Sequence, residues 1–396
     1  MKRRAVTAGM LSLGFAAAGC TIPARQPSVP RAGYERAKPL GLANARYFVD
    51  GDATALIAEA RLAAERGRSA DPQSSGDGTI SFLAISGGRY NGAFAAGLLE
   101  GWSRVGTRPA FKVVTGVSTG ALIAPFAFLG SDYDALLRDL YTTMTADRIF
   151  RRRPLTAALY DDGMADTTPL AELIGRYADW SLVERIAGEY AKGRLLLIGT
   201  TDLDAQRLVI WNIGAIAASG HPDSLDFFRK ILRASSAIPG AFQPVLLDVE
   251  LDGQKYQEMH VDGGAMAQLF VYPPSLGPLA ANSLRRFRAY IIRNGRLGPA
   301  HGETERRTIS IAQRAILTMV AAGGSNDVVR AYFVAKRDGV DFNLAFIGED
   351  FEPSVRLGEF NPAYMQALYA YGLDKALAND VWHKSPPGLV GSGVAR

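Results

Sequence analysis

Residues 79–85 (TISFLAI) and 111–117 (FKVVTGV) are short, almost wholly apolar, β-rich runs, and each leads into a small-residue turn and then a helical pattern. A strand without polar alternation has to be covered on both faces. Comparable runs at 194–201 (RLLLIGTT), 207–213 (RLVIWNI), 244–251 (PVLLDVEL) and 287–294 (FRAYIIRN) have helical patterns between several of them. Such alternation predicts an α/β layered fold with a mostly parallel central sheet, whose functional loops lie at the carboxyl ends of the strands. With 396 residues, 48% of them hydrophobic, the chain has material for one large or two ordinary domains.

The second run ends in GVSTG, which sets Ser118 between Gly116 and Gly120. A G-x-S-x-G turn from buried strand to helix can hold a nucleophile on a sharp bend at a helix N-terminus, where developing negative charge is favoured. The same five residues also serve as a tight turn with a convenient small residue, so the pentapeptide alone leaves both readings open. A serine nucleophile needs a base. Of the four histidines, His221 precedes a proline, His301 lies in a polar connection and His383 falls near the C-terminus. His260 stands two residues before Asp262, and on a strand that spacing puts both side chains on one face. Asp262 is followed by Gly263 and Gly264, which allow close backbone approach.

The four motifs SGGRYNGAF, GVSTG, ASSAIPGAFQPV and VDGG occur in that order between residues 79 and 274, and together they resemble the patatin-like phospholipases. The resemblance implies a three-layer α/β/α sandwich, Ser118 as nucleophile, and Asp262 as its only partner and base. It further implies an oxyanion hole from Gly87, Gly88 and the amide of Arg89, with Gly92, Gly116, Gly120 and Gly263 as supporting glycines. The stretch 233–245 is similar to the family's segment that packs near the site. The implied activity is hydrolysis of carboxylic esters of phospholipids or related acyl lipids through an acyl-enzyme. The chain departs from the family's usual G-G-G-x-R/K-G loop: Arg89 takes the third glycine position and Asn91 the basic one. Arg89 must therefore adopt a backbone conformation that glycine accepts freely. A second function class, a binding or scaffold lipoprotein with a vestigial site, is tested by whether Ser118 reacts.

The N-terminus reads as a leader. MKRR is followed by an apolar stretch over residues 5–18 and then by Cys20, the only cysteine. This resembles a bacterial lipobox, which would make Cys20 a lipid anchor and place the protein in the cell envelope, on the outer membrane facing the periplasm. An ordinary signal peptide with a chance cysteine is the plainer reading. No His/Cys/Asp/Glu group has ligand spacing, so neither a metal nor another cofactor is expected. A formal charge of +5 with scattered basic residues gives no mark of a nucleic-acid binder, and none is expected as a partner. The one cluster, Arg151 to Arg153, suits either surface charge or phosphate contact.

The expected organisation is a signal peptide at 1–19, then an anchor, a proline-rich linker and an N-terminal helix at 20–78. A catalytic domain covers 79–274, and 275–380 supplies helices and strands that complete it. The end, 381–396, is expected to be a flexible tail. Residues 131–192 are more polar and broken; they suit a lid or lipid-facing surface over the sheet, or a solvated helical excursion. Helical patterns recur at 304–322 and 361–377.

Overall fold

The computed structural model describes residues 24–51, 53–71, 78–154, 161–272, 285–299, 301–352 and 360–389. The leader and Cys20 lie outside the described residues. The strands are β1 (Arg46–Phe48), β2 (Ile80–Ile85), β3 (Val113–Val117), β4 (Arg151–Arg152), β5 (Ala165–Asp166), β6 (Leu195–Asp202), β7 (Arg207–Asn212), β8 (Val245–Leu251), β9 (Gln254–Asp262), β10 (Phe287–Arg293) and β11 (Asp341–Phe346). The helices are α1 (Thr54–Ala70), α2 (Gly92–Val105), α3 (Thr119–Leu129), α4 (Asp134–Thr143), α5 (Thr168–Tyr177), α6 (Trp180–Ala191), α7 (Ile213–Ala218), α8 (Ser224–Ser235), α9 (Thr308–Arg337) and α10 (Pro362–Leu377).

One nine-stranded sheet has the order β1-β7-β6-β3-β2-β10-β11, with β9 pairing β6 and β8 pairing β9. The five strands from β6 to β11 along this path are mutually parallel. β1, β7, β8 and β9 add antiparallel pairs on the other side. The apolar runs are two-sided, as expected. Leu83, Ile85, Tyr290 and Ile292 enter one core with α2, α3 and α10, while Ala84, Ala289 and Ile291 enter another with α9. Leu195, Leu197 and Ile210 meet Leu56 and Ala63 of α1 on that second face. The result is a three-layer α/β/α sandwich with a mostly parallel central sheet. Each fully buried large side chain, such as Trp211 or Phe94, contributes about 1.5–3 kcal/mol through removal from water.

Three segments differ from expectation. The proline-rich segment is no free linker after residue 30: Tyr34, Ala37 and Pro39 are buried, and Lys38 pairs with Glu250 on β8. Apolar residues between the prolines find the sheet edge, which local composition does not reveal. At the other end, Val381 is buried, Trp382 packs on Trp102 and Tyr290, and His383 exchanges backbone hydrogen bonds with Leu344, so 381–384 are not a loose tail. Finally, the helix expected at 304–322 runs from Thr308 to Arg337, and β11, one of the strands expected within 275–380 but singled out by no particular run, follows it. Asp341 and Asn343 interrupt the apolar pattern of β11, but the Asn343 amide donates to Ala289 O (3.3 Å) and so is accommodated inside the sheet.

Candidate active site

The turn after β3 is forced by close packing. A Cβ at Gly116 would stand 2.4 Å from Gly120 O, and one at Gly120 would stand 2.1 Å from Ile85 O, so only glycine lets β2, β3 and α3 come this close. Between them Ser118 has φ 56° and ψ −125°, a left-handed conformation that a non-glycine residue holds only under constraint. The constraint is visible: Ser118 N–H donates to Ser235 Oγ (2.9 Å), and that hydroxyl donates to Gly199 O (2.7 Å). Ser235 lies in the 233–245 stretch, which the structure brings against the turn.

Sheet register brings Asp262 to the serine across 144 positions of sequence. β3 runs parallel to β6 and ends with Val117 opposite Gly199. β9 runs antiparallel to β6 and ends with Asp262 opposite Thr200, the next residue. The two strands thus meet head-on along one side of β6, and the residues at their ends converge. The Ser118 hydroxyl lies close enough to the Asp262 carboxylate to favour its charged form, and Asp262 Oδ1 accepts a hydrogen bond from Gly264 N–H (2.7 Å). Its own N–H donates to Ala237 O (2.8 Å). Burial drives the Asp262 carboxyl up to about 6 against the lowering effect of the Ser118 hydroxyl and the Gly264 N–H. A carboxylate so poised can take a proton near neutral pH and return it.

His260 points its chemistry elsewhere. Nδ1 pairs with Thr200 Oγ1 (2.9 Å), Nε2 with Glu258 Oε2 (3.2 Å), and the ring packs edge-on against Trp211. His221 and His301 are not buried, and His383 packs on Phe346.

The glycine-rich loop after β2 corrects one expectation. Gly87 N–H donates to Gln268 O (3.0 Å), so it is committed to the fold and is not an oxyanion donor. Among the described residues Gly88 N–H has no acceptor, and a Cβ on Gly88 would stand 2.2 Å from Asn294 O. Arg89 does adopt the glycine-like conformation, at φ 57°. Asn91, at the family's basic position, instead accepts from Tyr364 OH of α10 (3.1 Å). Gly92 lies against Tyr141 and Thr119, and Gly263 against Gly199 O.

Sequence reasoning missed Ser86, Gln268, Arg293 and Asn294, which hold this loop from behind. Asn294 N–H donates to Ser86 Oγ (2.8 Å) and its side-chain amide to Ser86 O (2.9 Å). The only signal was position: Arg293 and Asn294 stand at the carboxyl end of a two-sided apolar strand, where functional groups gather.

Beside Ser118 opens an apolar cavity. α3 supplies Leu122 and Phe126, α4 Leu140 and Tyr141, and α5 Leu170, Leu173 and Ile174; Arg89 and Ser236 are among the few polar groups. Residues 131–192 are therefore more than a solvated excursion, since α4, α5 and Leu182 of α6 wall the cavity. Arg151 and Arg152 form the small β4–β5 pair, with Arg151 opposite Asp166, and Arg153 pairs with Asp161 (2.5 Å). None of the three lines this cavity.

The expectation of no His/Cys/Asp/Glu grouping also needs correction. Asp202, Glu258 and His260 converge with ligand atoms within 4.8 Å of one another, all buried. Their lone pairs are engaged by protein donors. Both oxygens of Glu258 accept from the Arg46 guanidinium. Asp202 accepts from Tyr34 OH (2.5 Å) and from the Asp204 (2.8 Å) and Ala205 (3.3 Å) amides. With a guanidinium already seated on Glu258, the group reads as an ion network rather than a cation site.

A serine on a strained turn between strand and helix, with a buried aspartate close by at the carboxyl edge of an α/β/α sheet, has the geometry of a nucleophile elbow. Residues 83–273 match the family model described as patatin-like phospholipase. No curated protein matches the chain. Among solved structures it is similar to the crystal structure of VipD from Legionella pneumophila, at 10% identity over 76% of this chain and 67% of that one, with a TM-score of 0.37.

Proposed function

We propose that the protein is a serine acyl hydrolase that cleaves carboxylic esters of phospholipids or related acyl lipids with Ser118 and Asp262 alone. The observation that carries this reading is Ser118, on a strained turn and beside an apolar cavity, set close to the buried Asp262 carboxylate by the meeting of β3 and β9 along β6. Ser118 Oγ attacks the acyl carbonyl carbon while its proton passes to Asp262. The tetrahedral oxyanion is held by Gly88 N–H and the Arg89 amide. Collapse breaks the ester C–O bond, and Asp262 returns the proton to the departing alcohol. Water then adds to the acyl-Ser118 carbonyl, Asp262 accepting its proton, and the fatty acid leaves as that proton returns to Ser118. The cavity suits the acyl chain, because an extended hydrocarbon transferred there gains about 0.8 kcal/mol per buried CH₂ and meets few polar groups needing a partner. No metal or other cofactor takes part in this scheme.

A fluorophosphonate should label the wild-type protein and not Ser118→Ala. Equal labelling of both would overturn the reading; no labelling of either would favour the binding-module alternative. Lipidation of Cys20 would hold the enzyme on the outer membrane facing the periplasm. Cys20→Ser is then expected to move to the soluble fraction, and continued palmitate labelling of that variant would exclude the anchor.

A further inference from the structure

The glycine-rich loop rests on a buried cation. Arg293, the last residue of β10, is 5% exposed, and its Nη1 lies 3.3 Å from Gly87 O, 3.3 Å from Gln268 Oε1 and 3.4 Å from Ser86 Oγ. Among the described residues it forms no ion pair, and its Nε is buried without a hydrogen-bond partner. Asp327 lies close enough to act on it, but that carboxylate is bonded to Arg330 (2.8 Å) and to Gln268 N–H (2.7 Å). Burial pulls the guanidinium down to about 10 against the opposing effect of Asp327, so it is charged at neutral pH.

A cation held this way is costly to a fold. The surroundings add to that cost. A Cβ at Gly324, well inside the 30-residue helix α9, would stand 2.5 Å from Nη2. Glycine there sacrifices about 1 kcal/mol of helix propensity against alanine. A purely structural role would be filled at less cost by an apolar side chain, so the charge itself needs an explanation.

Peptide planarity supplies one. No described peptide bond is cis, so in the planar Gly87–Gly88 unit the N–H points opposite to the C=O. The carbonyl end accepts from Ser86 Oγ (2.6 Å) and from Arg293. The other end is Gly88 N–H, which has no acceptor among the described residues, in a loop that packs on Ser118: a Cβ at Gly87 would stand 3.1 Å from Ser118 Cβ. A cation on the carbonyl oxygen enlarges the dipole of the whole unit and strengthens the N–H as donor.

We propose that Arg293 is a positioning residue that polarises the Gly87–Gly88 peptide from its carbonyl end, making Gly88 N–H the stronger donor to the oxyanion. The inference rests on the hydrolase reading above. It supplies, from β10, a positive charge that the altered loop lacks at Asn91.

The test compares wild type, Arg293→Gln and Arg293→Lys in kcat, KM, thermal midpoint and affinity for a long-chain alkyl trifluoromethyl ketone, whose adduct with serine places an oxyanion in the hole. For Arg293→Gln, kcat should fall about tenfold to a hundredfold while KM stays within about twofold, and ketone affinity should fall by the same factor as kcat/KM. Arg293→Lys should recover most of the loss. Unchanged kcat in Arg293→Gln, or a loss that Lys does not relieve, overturns the proposal while Ser118-dependent hydrolysis by wild type keeps the parent reading. Wild type that neither hydrolyses esters nor binds the ketone overturns both. Should Arg293→Gln fail to fold, Gly324→Ala displaces the guanidinium without removing it, and an unchanged kcat in that variant is again fatal.

Discussion

Glu258 and Asp262 lie four residues apart on β9, both buried, and burial pushes both carboxyls upward. They end at opposite extremes. At Glu258 burial is outweighed by the Arg46 guanidinium and by His260, which bring the carboxyl down to about 2. At Asp262 only the Ser118 hydroxyl and the Gly264 amide oppose burial, and the carboxyl stays at about 6. The difference is the Arg46 cation, seconded by His260. Glu258 is thereby locked as an anion and cannot exchange protons near neutral pH, whereas Asp262 is held where proton transfer is facile. His260, between them on the strand, belongs to the Glu258 side.

The sharpest way to break this comparison is Asp262→Asn, which keeps the shape and removes the base. Ester hydrolysis should fall on the order of a thousandfold, as for Ser118→Ala, because members of a catalytic unit are not additive. The same variant should be more stable than wild type at pH 8, by up to about 3 kcal/mol, since it no longer buries a reluctant anion. Denaturant unfolding checks the second half.

Arg46→Met removes the cation from the other carboxylate and should destabilise the protein by about 3–5 kcal/mol, because the buried Glu258 then loses its guanidinium and keeps only His260. Adding Glu258→Gln should recover part of that loss. A single variant as stable as wild type would mean that the network is ornamental.

Acid titration separates the two carboxyls by sign. Glu258 has its folded value below the unfolded one, so its contribution is present above about 4.5 and fades as pH falls toward about 2. Asp262 has its folded value above the unfolded one, so its contribution to stability grows as pH falls from about 6 to about 4. As general base it should also make kcat/KM rise with pH through about 6 and level off above. A flat profile between pH 5 and 7 would exclude Asp262 as the base.

The smallest effects are expected at His260 and on chelation. His260→Ala should cost activity less than about tenfold while lowering stability, and esterase activity should survive EDTA. Inactivity of His260→Ala at full stability would move the base to the histidine.

Residues with local causes were legible. The two-sided apolar runs are strands because their composition suits a pleat covered on both faces, and Gly116, Ser118 and Gly120 form a turn because only glycines permit the approach of Ile85 and the start of α3. Gly87 was misjudged because a glycine-rich loop does not say which of its amides the fold consumes; Gln268 O, 181 residues away in sequence, took that one. Asp202, Glu258 and His260 looked scattered, yet antiparallel pairing of β6 with β9 sets Asp202 opposite His260.

The sequence by itself determined the strand, turn and helix around Ser118, and the order of motifs that carries the family resemblance. Those features depend on side-chain period and on neighbours a few residues apart. Only the tertiary structure decided that β3 and β9 meet end to end along β6, that Arg46 falls beside Glu258 and not Asp262, that Arg293 lies behind the Gly87 carbonyl, and that α4 to α6 wall a cavity. Each of these is set by long-range pairing and burial summed over the whole sheet, and no short stretch of chain carries that sum.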